Sequence, residues 1–113
     1  MVEASKVATA RFGSFALAID SRRLTRAGAD LHLTPKAFDL LALLVDAAPR
    51  VVPKAELHAR LWPDTFVSDS TLVGLVKEVR RVLGDADADA PIVRTVARVG
   101  YAFAAPPATV IVA

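Results

Sequence analysis

One stretch, residues 68–85, constrains the fold of this chain most strongly, because its pattern is that of a long amphipathic helix with a defined start and end. Small polar residues at 68–71 can cap a helix N-terminus, and Gly84 is a typical C-terminal stop. At about 100° per residue, one arc is apolar and carries Leu72, Val76, Val79 and Leu83, flanked by Leu75 and Val82. The opposite arc carries Ser70, Val73, Gly74, Lys77 and Arg81, with Arg80 at its edge. The spacing predicts a helix over 69–83 with one packing face and one cationic face.

The segments around this helix predict an α+β fold. Residues 10–33 contain short alternating runs, such as Phe15, Leu17 and Ile19 against Ala16, Ala18 and Asp20, between turn signals, which predicts a small N-terminal antiparallel sheet of three or four strands. Thr34 and Pro35 open a first helix over about 35–48, and a second helix over 53–62 ends at Pro63. Two β-rich runs within 92–104 predict a hairpin, with Gly100 where the backbone needs a positive φ. Residues 1–9 are expected to be a flexible tail, and 105–113 a tail or linker.

Composition narrows the possible functions. The chain has 113 residues, which is one domain in length, and its pI of about 9.4 with a net charge of +2 makes it mildly basic. Ten of the 14 cationic residues are arginine, a side chain suited to bidentate phosphate and base contacts. The absence of cysteine excludes disulfides and cysteine-ligated zinc. No apolar run approaches the roughly 18 residues of a membrane span, so we expect no membrane partner and a cytoplasmic location.

The order of two helices, a loop, a further helix and a hairpin is the outline of a winged helix-turn-helix. Five pieces of sequence, in order, resemble the OmpR/PhoB-type winged-helix DNA-binding domain of bacterial transcription regulators over about 12–103. They are Leu-Thr-Pro-Lys-Ala-Phe-Asp-Leu-Leu at 33–41, Arg-Val-Val at 50–52 with Glu-Leu at 56–57 and Leu-Trp at 61–62, Val-Arg-Arg-Val-Leu-Gly-Asp at 79–85, Ile-Val-Arg-Thr-Val at 92–96, and Val-Gly-Tyr-Ala-Phe at 99–103.

The resemblance implies a site for double-stranded DNA. In such domains the third helix reads the major groove and the hairpin, or wing, reaches a neighbouring minor groove. Carried over by position, the DNA-facing or flanking residues of the helix are Ser70, Thr71, Val73, Gly74, Lys77, Arg80 and Arg81. Trp62, Thr95 and Tyr101 match positions that often contact phosphates, and Arg98 lies at the wing tip.

The family also implies further partners. In some members the loop between the second and third helices, here 63–67, touches RNA polymerase. The sequence of residues 62–68 resembles that of members that lack a receiver domain and are fused to a sensor or phosphopeptide-binding module. Many members act in phosphorelay signal transduction, but this sequence contains no receiver domain. We expect tandem or repeated half-sites and a dimer on DNA, because one domain of this size buries limited DNA surface.

Departures from the family pattern predict weak binding by a monomer or altered sequence preferences. Many members carry arginine at the position of Ser70, a polar group at Leu75 and a basic or polar residue at Glu78. The wing commonly has its basic residue at the position of Ala97, whereas here the arginine follows one place later. Pro53 stands where a Ser or Thr N-cap is usual.

Several residues admit two interpretations. Gly74 serves either close approach to a groove wall or close packing, and Val73 either meets a thymine methyl or is simply exposed. Trp62 and Tyr101 can be core residues, phosphate contacts or both. The wing-tip arginine is either a minor-groove probe or an ordinary turn residue. A cluster on the N-terminal sheet favours a solvated edge over a subunit or DNA role; its members are Arg22, Arg23 and Arg26.

No pattern of catalytic or metal-binding residues is present. The chain has no glycine-rich phosphate loop, no paired His and carboxylate at metal spacing and no nucleophile elbow, so no enzyme, cofactor or metal is predicted. Asp85, Asp87 and Asp89 alternate but lack the remainder of a calcium loop, which favours a solvated connector. His32 and His58 are expected to be structural or surface residues. The sequence therefore predicts a sequence-specific DNA-binding domain; the alternative is a winged-helix protein-interaction module with weak or lost DNA binding.

Overall fold

The structure, a computed structural model, describes residues 9–85, 92–104 and 109–111. The chain divides into two compact units, Met1–His32 with Ala105–Ala113, and Leu33–Ala104. The α+β class with a small N-terminal sheet, three helices and a C-terminal hairpin is confirmed. The expected tail over 1–9 and the acidic connector after Asp85 fall, apart from Thr9, outside the described residues.

The first unit is an antiparallel sheet. It contains strands β1 (Thr9–Phe12), β2 (Phe15–Ala18), β3 (Arg23–Arg26) and β4 (Ala29–Leu31), each paired with the next. The alternation in the sequence places the apolar side chains on one buried face, whose members are Ala10, Phe12, Phe15, Leu17 and Leu24. Two arginines of the predicted cluster already have partners: Arg23 pairs with Asp30 at 2.7 Å, and the Arg26 guanidinium lies 5.2 Å from the Phe15 ring centroid.

The second unit contains three helices, α1 (Pro35–Ala47), α2 (Lys54–Leu61) and α3 (Asp69–Leu83). Helix α1 starts at Pro35 after an extended Thr34, because proline fits the first helical turn and cannot continue one. Helix α3 ends at Gly84, which has a φ of 70° and donates its amide to the last turn. The apolar arcs of α1 and α3 face each other, and their buried members are Ala37, Phe38, Leu40, Leu41, Leu44, Val45, Leu72, Val76, Val79 and Leu83.

A second sheet completes this unit. Strand β5 (Val52–Pro53) pairs with β7 (Gly100–Phe103), which pairs in turn with β6 (Val93–Val96), giving the order β5-β7-β6. Helix α1 packs on β7, whose four residues are all buried. The sequence predicted only an extended link before α2, because two residues are too few to show an alternating pattern.

Gly100 has a role different from the one predicted. A Cβ at Gly100 would overlap the backbone carbonyl of Val52, so glycine allows β5 and β7 to approach each other. The positive φ of the hairpin, 67°, belongs to Arg98 instead. The prediction that Gly100 supplies the positive φ was therefore wrong.

The C-terminal segment also differs from the sequence prediction. Thr109–Ile111 forms strand β8, which pairs antiparallel with β1 and makes the first sheet five-stranded, in the order β4-β3-β2-β1-β8. We had expected a tail or linker over 105–113. The run of Thr, Val and Ile favours a strand, but three residues carry no period that separates a strand from an apolar linker.

Candidate nucleic-acid interface

Helix α3 presents one exposed face, formed by Ser70, Val73, Gly74, Lys77 and Arg81. These positions recur at intervals of three and four residues, so they lie on one side of the helix, opposite the buried arc. Thr71 is also exposed and lies at the edge of this face. The helix therefore offers an exposed surface of small, uncharged residues in its first half and cations in its second half.

Gly74 lies in open space. A Cβ built at this position meets no atom within 4 Å, and the residue is exposed. Among the described residues nothing packs closely against Gly74, which removes one of the two explanations considered for it. The neighbouring Val73 is 39% exposed and is one of the few large apolar side chains left uncovered.

Lys77 and Arg81 are the available charges of α3. Both side chains are exposed, and neither side chain makes an ion pair or hydrogen bond with any other described residue. Glu78 does not neutralise them, because its carboxylate accepts hydrogen bonds from the backbone N–H and the hydroxyl of Thr34, at 2.8 and 2.9 Å. Glu78 thus ties α3 to the N-terminus of α1 and leaves the two cations free to meet an anionic partner.

Arg80 points in another direction, toward the β6–β7 hairpin. Its Nε and Nη2 donate to the carbonyl oxygen of Val93 at 3.1 and 2.9 Å, and Nη2 also donates to Oγ1 of Thr95 at 2.6 Å. The guanidinium lies 6.0 Å from the centroid of the Tyr101 ring, which is buried with 6% exposure. The structure thus brings together three residues predicted to contact DNA, and it joins them in an internal cluster between helix and wing.

The N-terminal end of α3 carries a hydroxyl cluster. Ser68, the N-cap residue, makes no side-chain bond to the helix backbone; its Oγ lies 2.8 Å from Oγ of Ser70 and 3.4 Å from Oγ1 of Thr71. The first-turn amides therefore lack a side-chain cap from Ser68, and the hydroxyl groups beside them are exposed.

His58 of α2 contacts the first residue of α3, and the ring of Trp62, which directly follows α2, lies beside it. His58 Nε2 is 3.0 Å from a carboxylate oxygen of Asp69, the first residue of α3. The ring of the half-buried Trp62 lies 5.7 Å from that of His58. The histidine links α2 to α3, which agrees with the structural role expected for it. His32 is exposed.

The wing tip is exposed and carries a single cation. Arg98 and Val99 project from the turn between β6 and β7, and Val99 is 45% exposed. Arg98 holds a left-handed φ of 67°, a conformation that costs a non-glycine residue roughly 1 kcal/mol.

Asp85 has a structural role that sequence analysis missed. We expected a solvated connector, but Asp85 is only 4% exposed, and its two carboxylate oxygens accept hydrogen bonds from the amides of Ile92 at 2.7 Å and Val93 at 3.0 Å. The expectation was wrong for this residue; Asp87 and Asp89 lie outside the described part of the chain. An aspartate directly after a helix-ending glycine was the available signal, since such a side chain can reach backbone amides nearby.

A forked ion pair lies in the turn before α2. Arg50 donates through Nη1 and Nη2 to the two carboxylate oxygens of Glu56, both at 3.0 Å. This hydrogen bonding lowers the pKa of Glu56 below its ordinary value and raises that of Arg50. Because both groups face solvent, the pair fixes the geometry of the turn more than it stabilises the fold.

Within the described residues, no group of three or more His, Asp or Glu side chains is placed to hold a metal ion. In the same residues, no helix combines the length and the apolar composition needed to cross a membrane.

Comparison with known proteins places this geometry in context. The family model "Transcriptional regulatory protein, C terminal" matches residues 28–103. The transcriptional activator CadC of Escherichia coli is 28% identical over 97 residues, which cover 85% of this chain and 19% of CadC. The transcriptional regulatory protein CusR of Escherichia coli is 32% identical over 88 residues, covering 76% of this chain and 38% of CusR. The chain thus spans well under half the length of these relatives.

Solved structures share the fold. The DNA-binding domain of Escherichia coli CadC superposes with a TM-score of 0.77 at 26% identity, over 96% of this chain and 100% of that one. The DNA-binding domain of RstA from Klebsiella pneumoniae, solved in complex with the RstA box, gives a TM-score of 0.74 at 23% identity, over 85% and 96% of the two chains.

Proposed function

The chain belongs to the OmpR/PhoB-type family of DNA-binding transcriptional regulatory domains, and we propose that it binds double-stranded DNA with α3 in the major groove and the β6–β7 wing at a neighbouring minor groove. A domain of this family is a regulator and not an enzyme. The single observation that carries the groove assignment is the exposed face of α3, on which Lys77 and Arg81 have no partner among the described residues.

The proposed contacts divide by chemistry. Lys77 and Arg81 meet phosphates or a guanine edge, because they lie one turn apart on the exposed face. The hydroxyls of Ser70 and Thr71 lie beside first-turn amides that can bind a phosphate oxygen. Gly74 lets the helix backbone approach the groove wall, where an added methyl group would intervene.

The remaining residues that were predicted to contact DNA have secondary roles in this proposal. Arg98 reaches from the wing tip toward the minor groove, which an exposed cation at a hairpin turn can do. Trp62 is half-buried, so its indole N–H can reach a phosphate while the ring packs. Arg80, Thr95 and Tyr101 form the internal cluster described above, and any phosphate contact by Arg80 uses its Nη1, for which the structure gives no hydrogen bond.

Fluorescence anisotropy with a mixed-sequence duplex at about 50 and about 200 mM salt tests this proposal. The double variant Lys77→Ala, Arg81→Ala should bind about 100-fold more weakly at low salt, and its salt slope should fall by about 1.8, the value for two phosphate contacts. The matched control is Lys36→Ala, Lys54→Ala, which removes two exposed cations from α1 and α2. Equal losses in the two double variants would show general electrostatics and would contradict a groove-facing α3.

The alternative, a winged-helix protein-interaction module, predicts a different result. Such a module has no salt-sensitive DNA affinity to lose, and charge reversal of Lys77 and Arg81 disrupts only a protein complex. The observation that keeps this alternative is the short supply of cations on α3, since the guanidinium of Arg80 is held by hydrogen bonds to Val93 and Thr95. Wild-type protein that fails to bind any duplex at about 50 mM salt would favour it.

We propose that recognition uses two copies on repeated half-sites. Three exposed cations, Lys77, Arg81 and Arg98, give one domain a salt slope of about −2.7, so its affinity falls about 40-fold between 50 and 200 mM salt. Two copies double the slope, and the loss approaches about 2,000-fold. The measured slope therefore counts the domains bound.

A contact with RNA polymerase is proposed for the loop 63–67. Phe66 in this loop is 97% exposed, an unusual position for a large apolar side chain and a feature of contact surfaces. Phe66→Ala should abolish activated transcription while leaving DNA affinity unchanged. A parallel loss of DNA binding would instead assign Phe66 to the DNA interface.

The signal that controls this domain is proposed to lie in a fused sensor or phosphopeptide-binding module, in a protein that acts on DNA in the cytoplasm. Relatives such as CadC and CusR are several times longer than the segment they share with this chain, which leaves room for such a module. Measuring the DNA affinity of this segment alone and of the whole gene product tests this point, since control by a fused module requires the two affinities to differ.

A further inference from the structure

A set of side-chain hydrogen bonds in the second unit joins the end of α3 to the start of the wing. Asp85 accepts a hydrogen bond from the amide of Val93, and Arg80 donates two to the carbonyl of the same residue. We propose that Asp85 and Arg80 form a helix–wing clamp on Val93, and that they are positioning residues which set the distance between α3 and the wing on DNA. This inference rests on the proposed function.

The clamp satisfies groups that would otherwise be unpaired. Strand β6 is at the edge of its sheet, in the order β5-β7-β6, so one row of its backbone groups has no neighbouring strand. At Val93, which is fully buried, an unpaired amide or carbonyl would be costly. Side chains from α3 and its C-terminal end take the place of the missing strand at this point.

Asp85 fixes where the wing begins. Its carboxylate is almost fully buried and accepts two charge-assisted hydrogen bonds, from Ile92 at 2.7 Å and from Val93 at 3.0 Å. The amide of Asp85 itself bonds the carbonyl of Arg80 at 2.8 Å, which holds the aspartate against the last turn of α3. The position of β6 is therefore set by α3 directly, whatever path residues 86–91 take between them.

Arg80 holds the next part of the strand. Besides its two bonds to Val93, its Nη2 donates to Oγ1 of Thr95 at 2.6 Å, two residues further along β6. A planar guanidinium that holds three short bonds has little rotational freedom. Together, Asp85 and Arg80 hold the chain at three positions, Ile92 just before β6 and Val93 and Thr95 within it, and the wing tip at Arg98 follows three residues later.

The consequence for DNA binding is energetic coupling. If α3 and the wing move as one body, seating α3 in a major groove brings Arg98 to the minor groove without further ordering of the hairpin. If the clamp is broken, Arg98 must be ordered at the moment of binding, and most of its contribution to affinity is lost. The clamp therefore predicts that Asp85 and Arg98 contribute non-additively to DNA affinity.

The test is a double-mutant cycle between Asp85→Asn and Arg98→Ala, read by anisotropy with the same duplex and the complete chain. Asparagine keeps the size of the side chain but places an NH₂ group against an amide donor, so one bond is lost. Alanine at 98 has the same φ cost as arginine and removes only the cation. Arg98→Ala should weaken binding about 10-fold in the wild type and less than about 2-fold in Asp85→Asn. Asp64→Asn, an exposed aspartate with the same charge change, is the control and should leave the effect of Arg98→Ala at about 10-fold.

Amide hydrogen exchange of the free protein supplies a second readout that needs no DNA. In Asp85→Asn the amides of Ile92 and Val93 should exchange at least about 10-fold faster, while the core amides of α1 keep their rates. If this variant does not fold, Thr95→Val removes an acceptor of Arg80 without loss of volume and should give a smaller coupling in the same direction.

The outcomes separate the two proposals. Additive effects of the two substitutions with DNA bound normally, or unchanged exchange at Ile92 and Val93, overturn the clamp and leave the DNA-binding proposal intact. Absence of DNA binding by the wild type overturns the proposed function, and with it the role of the clamp on DNA. Faster wing exchange in that case would show that Asp85 only holds the hairpin.

Discussion

Replacing Gly74 with alanine should stabilise the fold and weaken DNA binding at the same time. Glycine inside a helix costs about 1 kcal/mol relative to alanine, because it loses more backbone entropy on folding. The new methyl group meets nothing within 4 Å in the free protein, so no clash reduces this gain. We expect an increase of about 1 kcal/mol in the free energy of unfolding, which corresponds to a rise of about 4 °C in Tm for a domain of this size.

In the proposed complex with DNA, the same methyl group lies where α3 approaches the groove wall. Holding the helix away from the bases lengthens the contacts of the residues around Gly74, and we expect an affinity loss of about 10-fold. Opposite changes in stability and affinity are the distinguishing result, because a substitution that merely damages the fold lowers both.

Thermal unfolding followed by circular dichroism and anisotropy titration of the same samples measure the two effects. Ala59→Gly, at an exposed position of α2, is the reverse control: it should lower the free energy of unfolding by about 1 kcal/mol and leave DNA affinity unchanged. A Gly74→Ala variant that is more stable but binds DNA as the wild type does would refute close approach at this position. A less stable variant would refute the open surroundings of Gly74.

Three further predictions concern separate parts of the chain. If Val73 contacts a thymine methyl, replacing that thymine with deoxyuridine should weaken wild-type binding about 3- to 10-fold and leave the binding of Val73→Ala unaffected. An anisotropy scan of single base substitutions in the half-site would measure this. Equal losses in both proteins would contradict the contact. Arg98→Gly should keep or slightly raise Tm, because glycine accepts the left-handed φ of 67°. Its DNA affinity should fall about 10-fold, and an unchanged affinity would show that Arg98 is not part of the interface. Because Arg50 lowers the pKa of Glu56 from its ordinary value of 4.5, the pair stabilises the fold above that pH, and its contribution is lost as pH falls through the lowered pKa. Urea midpoints of Glu56→Gln should therefore decline less than those of the wild type between about pH 5 and pH 3, and an equal decline would contradict the linkage.

The parts of the fold that could be predicted from sequence are those with strong local signals. The amphipathic arc from Leu72 to Leu83 and its closing Gly84 produce α3, and Thr34 with Pro35 starts α1. Alternating side chains over 10–33 produce the first sheet. In each case the residues that determine the element lie within it, so a window of about 11 to 18 residues contains the information.

The parts that could not be predicted depend on distant partners. Strand β5 exists because Val52 and Pro53 pair with Tyr101 and Gly100, almost fifty positions away. Asp85 reads as the first residue of an acidic run, and only the return of the chain at Ile92 buries it. Neither contact can be inferred from the neighbouring sequence, because both are created by the tertiary fold.

Arg80 and Arg81 show how the fold divides chemically equal neighbours. A step of about 100° around the helix turns Arg80 toward Val93 and Thr95 and leaves Arg81 on the exposed face. Glu78 is likewise held by Thr34, so the charges of α3 that remain for a partner are those of Lys77 and Arg81. In the proposed complex, base recognition at the centre of the exposed face therefore depends on uncharged groups, which discriminate by shape and methyl contact and which salt does not screen. A DNA-binding domain of this kind is expected to keep its sequence preference as ionic strength rises, while its overall affinity falls with the salt slope set by its few cations.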